Sequence, residues 1–546
     1  MFKDIRVRHS LLLLVLSYFF FMLGNGILSL TMPDEVFYAQ TAKEMVSHGT
    51  WMTPYLFGQP QFEKPILLYW LLRIGFIMFG VTSFAARFFP AVFASIGVLA
   101  TYWLGLAGFK DEKKAFLSAL LLMSCGLYIG LARTVFTDMI FSVCILLSMA
   151  SFYWGYASGR KRAGMVTFFF FAGLAVLAKG PLGLIIPLTA ILIFLFLKRD
   201  LKSLLSGYFL LGAAVFCAVA LPWYAWIIKK YGSVFINEFY YNDHVRRVVE
   251  AEHANCDTWY FYPASTIGCF FPWSLYLAAA LFFLGRRATS KMDDFQAFVV
   301  CWISVTFVVF QTAHSKLVSY ILPLFPALAF ITADFMHGAC ANGAKSRLFK
   351  VLSVVTVAML LMVLAAGAIM LPRFSKYVHS PAPIYSLIAI MALLLLVCLF
   401  LIRNRAFLKF IYIMSATIPV LLFAVPFTRD AIEPFASSKE ACDYLLKNYK
   451  VPSPIVCSKN SLRAVRFYTD MDVCVFQPYG SNFFSPHPVL FLTVDKDAVK
   501  FFRSRPVTYA VLRKSGFEDI ERLSPMGFKY TLLKVIGNSY IVKIAP

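Results

Sequence analysis

Stretches apolar and long enough to cross a membrane recur along this chain. They lie near 11–30, 82–108, 116–132, 139–157, 165–180, 183–198, 206–228, 262–284, 294–313, 317–338, 350–371, 383–402 and 408–427. A bilayer core takes about 20 residues of helix to cross. Only helices or closed barrels satisfy their backbone there, because lipid offers no hydrogen bonds. The runs therefore predict an α-helical polytopic membrane protein with about 13 spans. A chain that is 60% hydrophobic and only 14% charged fits that reading and no soluble class.

Short basic clusters separate the runs: Lys110/Lys113/Lys114, Arg160/Lys161/Arg162, Lys198/Arg199/Lys202, Arg286/Arg287/Lys291, Lys345/Arg347/Lys350 and Arg403/Arg405/Lys409. All fall on the side of Lys3, Arg6 and Arg8, as the positive-inside rule expects of the cytoplasmic face. The excess of 51 Lys and Arg over 28 Asp and Glu is thus a topology signal and calls for no nucleic acid. The first run reads as an uncleaved span, since its only small-x-small site, Gly24-Asn25-Gly26, lies inside it. The outer face then receives 31–81, 133–138, Lys179-Gly180-Pro181, 229–261, His314-Ser315-Lys316, 372–382 and everything after 427.

Two outer segments, 31–81 and 229–261, exceed ordinary loops. In the first, an amphipathic Glu35–Val46 and an aromatic stretch to Trp70 predict short helices lying in the membrane interface. After 427, short apolar runs (489–494, 509–512) and a helical pattern (438–449) predict strands and a helix. The chain divides into a membrane domain, 1–427, and a small soluble α/β domain, 428–546. Cys442, Cys457 and Cys474 in that domain permit one disulfide outside the cytoplasm. Most other cysteines sit inside apolar runs as small core residues.

Charged groups on the outer side stand out against this pattern. Asp34-Glu35 follows Pro33 at a helix start, where carboxylates cap free amides and can also face a cleft. In Glu63-Lys64-Pro65 the pair is either an interfacial salt bridge or a phosphate-binding Lys64 beside a metal- or sugar-binding Glu63. Arg133 and Asp138 either mark the membrane boundary or add a charge pair to the same layer. Arg246 and Arg247 carry guanidinium forks that match phosphate oxygens. His253 with a distant Glu63 lacks the spacing of an HExxH zinc site. Lys316 is a snorkelling anchor or another phosphate contact. Asp470-Met471-Asp472 has the look of a nucleotide-sugar motif, but its outer position makes it a surface turn. No GxxxxGK[ST] phosphate loop is present, so no nucleotide is implied.

The order of these features resembles a known family. Pro33-Asp34-Glu35, Tyr38-Ala39, Glu44-Met45, Phe62-Glu63-Lys64-Pro65, Tyr69-Trp70, Phe79-Gly80 and Ala85-Ala86-Arg87 are similar to the lipid-A aminoarabinose transferases. Those belong to the wider protein-O-mannosyltransferase-like, polyprenyl-phosphate-dependent glycosyltransferases of GT-C type. Asp138, Ala178-Lys179-Gly180-Pro181, His253 before Trp259-Tyr260, Pro272-Trp273-Ser274 and Tyr320-Ile321-Leu322-Pro323 continue the likeness. The resemblance implies a cavity under the first outer loop, a sugar donor on undecaprenyl phosphate and a lipid-A phosphate as acceptor. It implies catalytic roles for Asp34, Glu35 and Asp138, and donor-phosphate contacts from Lys64, Arg246, Arg247, Lys316 and Tyr320. Tyr38 and Glu63 would touch substrate, and Glu63 with His253 would hold a divalent metal. The place implied is a bacterial inner membrane, with the site and C-terminal domain on the periplasmic face. Phe37 and Gln61 depart from the pattern, where such enzymes often carry Arg and Tyr. The sugar and acceptor therefore stay open, with transfer to protein Ser/Thr or another glycan as alternatives. A transporter or flippase, the rival class, would place polar residues at mid-helix; here the charges gather in outer loops.

Overall fold

The computed structural model describes residues 4–250, 256–286, 292–340, 344–374, 381–478 and 489–546. Its first helices are α1 (Ile5–Ser17), α2 (Asp34–Ser47), α3 (Leu67–Phe79), α4 (Ser83–Phe109), α5 (Glu112–Met123), α6 (Gly126–Ala132), α7 (Thr137–Ala157), α8 (Lys161–Lys179), α9 (Leu182–Leu197) and α10 (Gly207–Tyr231). Among the described residues, 9 helices are long and apolar enough to cross a membrane. The number reaches 11 if the bent pairs α5/α6 and Phe407–Leu422/Val425–Ala436 each cross once. The runs at 183–198 and 262–284 are shorter than expected. The first is α9, and the second is parted into Phe261–Cys269 and Ser274–Gly285 around Pro272, which cannot donate to a continuous helix. The protein is a multi-pass membrane protein of mostly helical fold.

Ion pairs tie the basic loops together at one end of the bundle. Arg6 meets Glu112 at 3.3 Å, Lys114 meets Asp334 at 2.6 Å, Lys161 meets Asp200 at 3.0 Å and Lys198 meets Asp294 at 2.6 Å. Helices α7 and α8 leave this end as a close antiparallel pair. A Cβ on Gly155 would lie 2.6 Å from the Gly164 Cα, so only glycine lets the two backbones approach there. Their far ends deliver Asp138 and Lys179 to the opposite face.

That opposite face differs from expectation in two places. The first span stops at Met22, not near residue 30. Residues 23–31 instead form a non-helical stretch whose Asn25, Leu28 and Ser29 carbonyls accept hydrogen bonds from Arg87. Irregular backbone packed inside protein is stable when so satisfied. Helix α2 is also more enclosed than an amphipathic surface helix would be. It is buried nearly all round, because the C-terminal part of the chain covers its outward side. Its buried Glu44 is matched: the carboxylate accepts from the amides of Phe57 and Gly58 at 2.9 and 2.8 Å.

The C-terminal part is built on strands β3 (Ile455–Cys457), β4 (Val473–Phe476), β5 (Leu490–Leu492), β6 (Thr508–Leu512), β7 (Lys529–Ile536) and β8 (Ser539–Ala545), after a small β1/β2 hairpin at 55–60. The sheet order is β5-β4-β3-β6-β8-β7, parallel from β5 to β6 and antiparallel beyond. Period-2 alternation sends Val456, Cys474, Ala510 and Val542 to one face, and Ile455, Cys457, Val475 and Val511 to the other. Helices cover both faces, which is why these strands read as unbroken apolar runs. Cys442, Cys457 and Cys474 are buried free thiols. Cys457 and Cys474 point to opposite faces of the sheet, so the disulfide allowed by sequence does not form between them.

Candidate active site

Proline at 33 cannot extend a helix backwards, so α2 begins at Asp34 with two carboxylates in its first turn. The two have opposite fates. Asp34 is exposed, while Glu35 is fully buried. The Glu35 carboxylate accepts from Arg87 Nε at 2.8 Å and Nη2 at 2.6 Å. It also accepts from the Thr31 amide and hydroxyl, both at 2.8 Å, and from the Val135 amide at 2.9 Å. Burial pushes its pKa up, but the Arg87 fork and the Thr31 donors outweigh this and hold it below the usual value. Five donors thus converge on one carboxylate. Glu35, expected among the catalytic groups, thus has a structural role in the fold: it pins α2, α4, the 23–31 stretch and the 133–137 turn together.

Around the exposed edge of that staple gather the remaining charges. Lys64 Nζ is bonded to both oxygens of Asp243, at 2.7 and 2.6 Å, and to the Glu63 carbonyl at 3.1 Å. Lys179 Nζ donates to Asp138 and sits 3.8 Å over the Tyr320 ring, a cation–π contact. Arg133 is not the partner of Asp138; it donates to the Phe20 carbonyl. The Tyr38 ring packs among Phe37, Tyr69 and Phe136. Burial, then nearby Tyr69, Asp138 and Asp34, raise the Tyr38 phenol well above its ordinary range, so it remains a neutral donor. Tyr69 in turn receives a 2.6 Å bond from Gln61.

His244 closes one side. Its Nδ1 lies 2.7 Å from the Phe239 carbonyl, and its ring fills the space that a side chain at Gly180 would need. Gly180 has φ +101°, so glycine is required there twice over. Burial lowers the His244 pKa, which keeps the imidazole neutral at pH 7.

Other expected residues lie apart or are differently engaged. Lys316 is buried against Asp257 at 2.5 Å, with His314 on the other carboxylate oxygen at 2.7 Å. Arg246 is partly exposed and bonded to Glu250 at 2.7 Å. The side chain of Arg247 and all of His253 lie outside the described residues. Glu63 has Glu238 as a neighbour; burial, then the Glu63 charge, raise the Glu238 pKa. Two carboxylates are a fair start for a divalent cation, but among the described residues no three His, Cys, Asp or Glu side chains gather as a metal site. Asp470-Met471-Asp472 is a surface turn, as expected: Asp470 has left-handed backbone at a helix end, and its carboxylate meets Lys43 at 2.6 Å.

Sequence reasoning on single residues missed Lys179, Asp243 and Arg87. Lys179 carried the same signal as Lys64 and Lys316, a basic residue on the face where basic residues are rare. Asp243 and Arg87 gave no local sign of their partners.

Comparison with known proteins bears on this arrangement. Residues 8–233 match the sequence profile of the dolichyl-phosphate-mannose-protein mannosyltransferase family. An undecaprenyl phosphate-alpha-4-amino-4-deoxy-L-arabinose arabinosyl transferase of Erwinia tasmaniensis is 30% identical over 359 residues, covering 64% of this chain and 63% of that protein. The chain thus spans just under two thirds of the length of the curated relatives it matches. In three dimensions the fold is similar to ArnT from Cupriavidus metallidurans bound to undecaprenyl phosphate, with TM-score 0.76 and 18% identity over 98% of this chain and 97% of that one. It is more distantly similar to the Archaeoglobus fulgidus oligosaccharyltransferase, with TM-score 0.52 and 14% identity over 97% of this chain and 72% of that one. At these identities the structural likeness is one of fold. It extends past the profile match and takes in the C-terminal sheet.

Proposed function

We propose that this chain, which is similar in sequence and fold to polyprenyl-phosphate-dependent transferases of GT-C type, moves a sugar from undecaprenyl phosphate to a lipid-A phosphate. The sugar is 4-amino-4-deoxy-L-arabinose, and the reaction takes place at the periplasmic face of a bacterial inner membrane. The carrying observation is the pair of lysines, Lys64 and Lys179, held by carboxylates at the end of the bundle opposite the basic loops. A departing lipid phosphate develops charge on its oxygens, and cations already in place stabilise it without reorganising. Apolar helices around the site supply the environment that the polyprenyl tail needs.

The reaction is a single displacement. An acceptor phosphate oxygen forms the new bond to the anomeric carbon, the bond from that carbon to the donor phosphate breaks, and undecaprenyl phosphate leaves. Configuration inverts. A phosphate nucleophile is already anionic, so no general base is required. Asp34, exposed at the mouth and close enough to influence Tyr38, then orients sugar or acceptor instead. A protein hydroxyl acceptor would reverse this, since its proton must go somewhere. Asp34→Asn is expected to lower transfer by no more than about tenfold with lipid A, against about 10²–10⁴-fold if it served as base. Transfer from labelled undecaprenyl-phosphate sugar by the purified protein, with lipid A and envelope proteins as separate acceptors, tests the whole reading. Label found only on protein would overturn it.

A divalent cation between Glu63 and His253 would relieve the repulsion between Glu63 and Glu238 and orient substrate oxygens. The cationic work on the leaving phosphate stays with the lysines. Prolonged treatment with EDTA is therefore expected to slow transfer several-fold without abolishing it, with zinc restoring the rate.

A further inference from the structure

Arg133 has no part in the reaction proposed above, yet its charge is unanswered. It stands in the turn between α6 and α7, half-buried, at the end of the bundle opposite the basic loops. Its Nη1 bonds the Phe20 carbonyl at 3.2 Å. Among the described residues its Nε and Nη2 have no acceptor, and neither atom is buried. Glu35, bonded to the Val135 amide in the same turn, is taken up by Arg87. Burial, then the nearby Arg87 charge, lower the Arg133 pKa to about 10, so the guanidinium stays charged at pH 7. A half-buried cation is costly to leave without a counter-charge.

Beside Arg133 runs a groove of about 550 Å³, where the end of α1 and residues 23–27 meet the start of α4. Tyr18, Met22, Ile27, Phe84 and Phe88 line it, with Gly24 in its wall. A Cβ on Gly24 would stand 3.8 Å from Arg133 Nη2, so the edge of the guanidinium borders that wall. Among the described residues the Gly24 and Gly26 amides have no acceptor either. The first span ends at Met22 and the second begins at Ser83, which sets this end of the groove at the boundary between acyl chains and headgroups. Tyr18 and Phe84 are exposed on those two spans, so the groove opens to lipid.

We propose that Arg133 and this groove form a lipid site that seats one acidic phospholipid of the surrounding bilayer, its phosphate on the guanidinium and an acyl chain along Tyr18, Ile27 and Phe84. An uncompensated guanidinium selects a headgroup of net negative charge, and its fork matches phosphate oxygens. The opening toward the spans selects the source, because the bilayer is already in contact with the groove. This site is apart from the two lysines: Arg133 turns to the α1 side, whereas Asp138, at the start of α7, turns to Lys179 on α8. The seated lipid braces from the membrane side the 23–31 stretch and the 133–137 turn that Glu35 pins from within.

The test needs neither the sugar nor the acceptor. Full-length protein in an uncharged detergent is incubated with phosphatidylglycerol, or with phosphatidylcholine of the same chains, and retained lipid is counted by native mass spectrometry. Native protein is expected to hold one more phosphatidylglycerol than Arg133→Ala, with about tenfold tighter binding, the effect of one charge-assisted contact. Lipid held at the basic loops is common to both proteins and cancels. Phosphatidylcholine should be retained equally by both. Arg133→Lys should fall between, since a point charge replaces a fork. If Arg133→Ala does not fold, Arg133→Gln, which keeps a donor for the Phe20 carbonyl, carries the same comparison. Glycerol phosphate, which has the charge and no chain, should fail to displace the lipid. Equal retention of phosphatidylglycerol by native and variant would overturn the proposal, and equal loss of both lipids would make Arg133 a packing residue only. Displacement by glycerol phosphate would remove the groove from the site. Displacement by lipid A at lower concentration than phosphatidylglycerol would give the site to the acceptor and overturn the bilayer lipid as its occupant.

Discussion

Replacing Lys64 by alanine is expected to lower kcat/KM for transfer from undecaprenyl-phosphate sugar by about 10²–10³-fold, or about 2.7–4 kcal/mol, the range seen when one preorganised donor to a developing anion is removed. The loss has two sources. One is the missing cation at the leaving phosphate. The other is Asp243, whose carboxylate is mostly buried and bonds Lys64 through both oxygens. Without the lysine that carboxylate faces the incoming phosphate, and like charges in a buried place repel strongly. The double variant Lys64→Ala/Asp243→Ala should therefore recover part of the loss, by about tenfold, although it lacks one more polar group. Non-additivity of this sign is the mark of two residues acting as one unit. If the double variant is as poor as the sum of the singles, Asp243 has a separate role. Full activity of Lys64→Ala would remove the lysine from the chemistry. Asp243→Asn alone is expected to tighten undecaprenyl phosphate binding, because the native carboxylate competes for the same Nζ.

These effects show which parts of the site can be read along the sequence. Lys64 is legible because a lysine on the face that receives few basic residues needs a reason. The membrane spans are legible because an apolar run is a local signal. Their count is less so: breaks at Ser124-Cys125 and around Pro272 fall inside apolar runs and alter no hydropathy average. Partners are harder still. Asp243 is 179 residues from Lys64, and only the folded chain brings them together. Asp34 and Glu35 are adjacent and equally acidic, yet one opens to solvent and the other is sealed, because successive helical positions point about 100° apart. The amphipathic pattern of α2 is incomplete evidence for a related reason. Much of its polar side meets protein and not water, Lys43 at the Leu462–Thr469 helix and Glu44 at the 57–58 amides, and local periodicity does not distinguish the two. Phe37 is the clearest instance. In sequence it is an apolar departure from a motif; in the fold it is the platform for an arginine from the far end of the chain.

The Glu35–Arg87 staple supports the second large effect, this time on stability. Both side chains are almost wholly buried, and Arg87 also holds the carbonyls of Asn25, Leu28 and Ser29. Removing one member of a buried pair leaves the other charged and unpaired, at a cost of about 3–5 kcal/mol. Arg87→Ala should cost the most, since it also takes the donor from three carbonyls. Glu35→Gln should be milder: an amide keeps an acceptor for Thr31 or Val135 but loses the fork. Thermal unfolding of the detergent-solubilised protein measures both. The sign of the pH dependence follows from the lowered Glu35 pKa. Its folded value lies below the ordinary 4.5, so the unfolded chain takes up the proton first as pH falls. The stabilisation is complete above pH 4.5 and is lost as pH drops through the lower folded value. Native protein should therefore show a steeper acid loss of stability than Glu35→Gln, and equal slopes would mean that Glu35 is not the ionised partner of Arg87. Transfer by Glu35→Gln, assayed at a temperature where it stays folded, should remain within about tenfold of native. A loss as large as that of Lys64→Ala, in a protein still folded, would return Glu35 to the reacting groups.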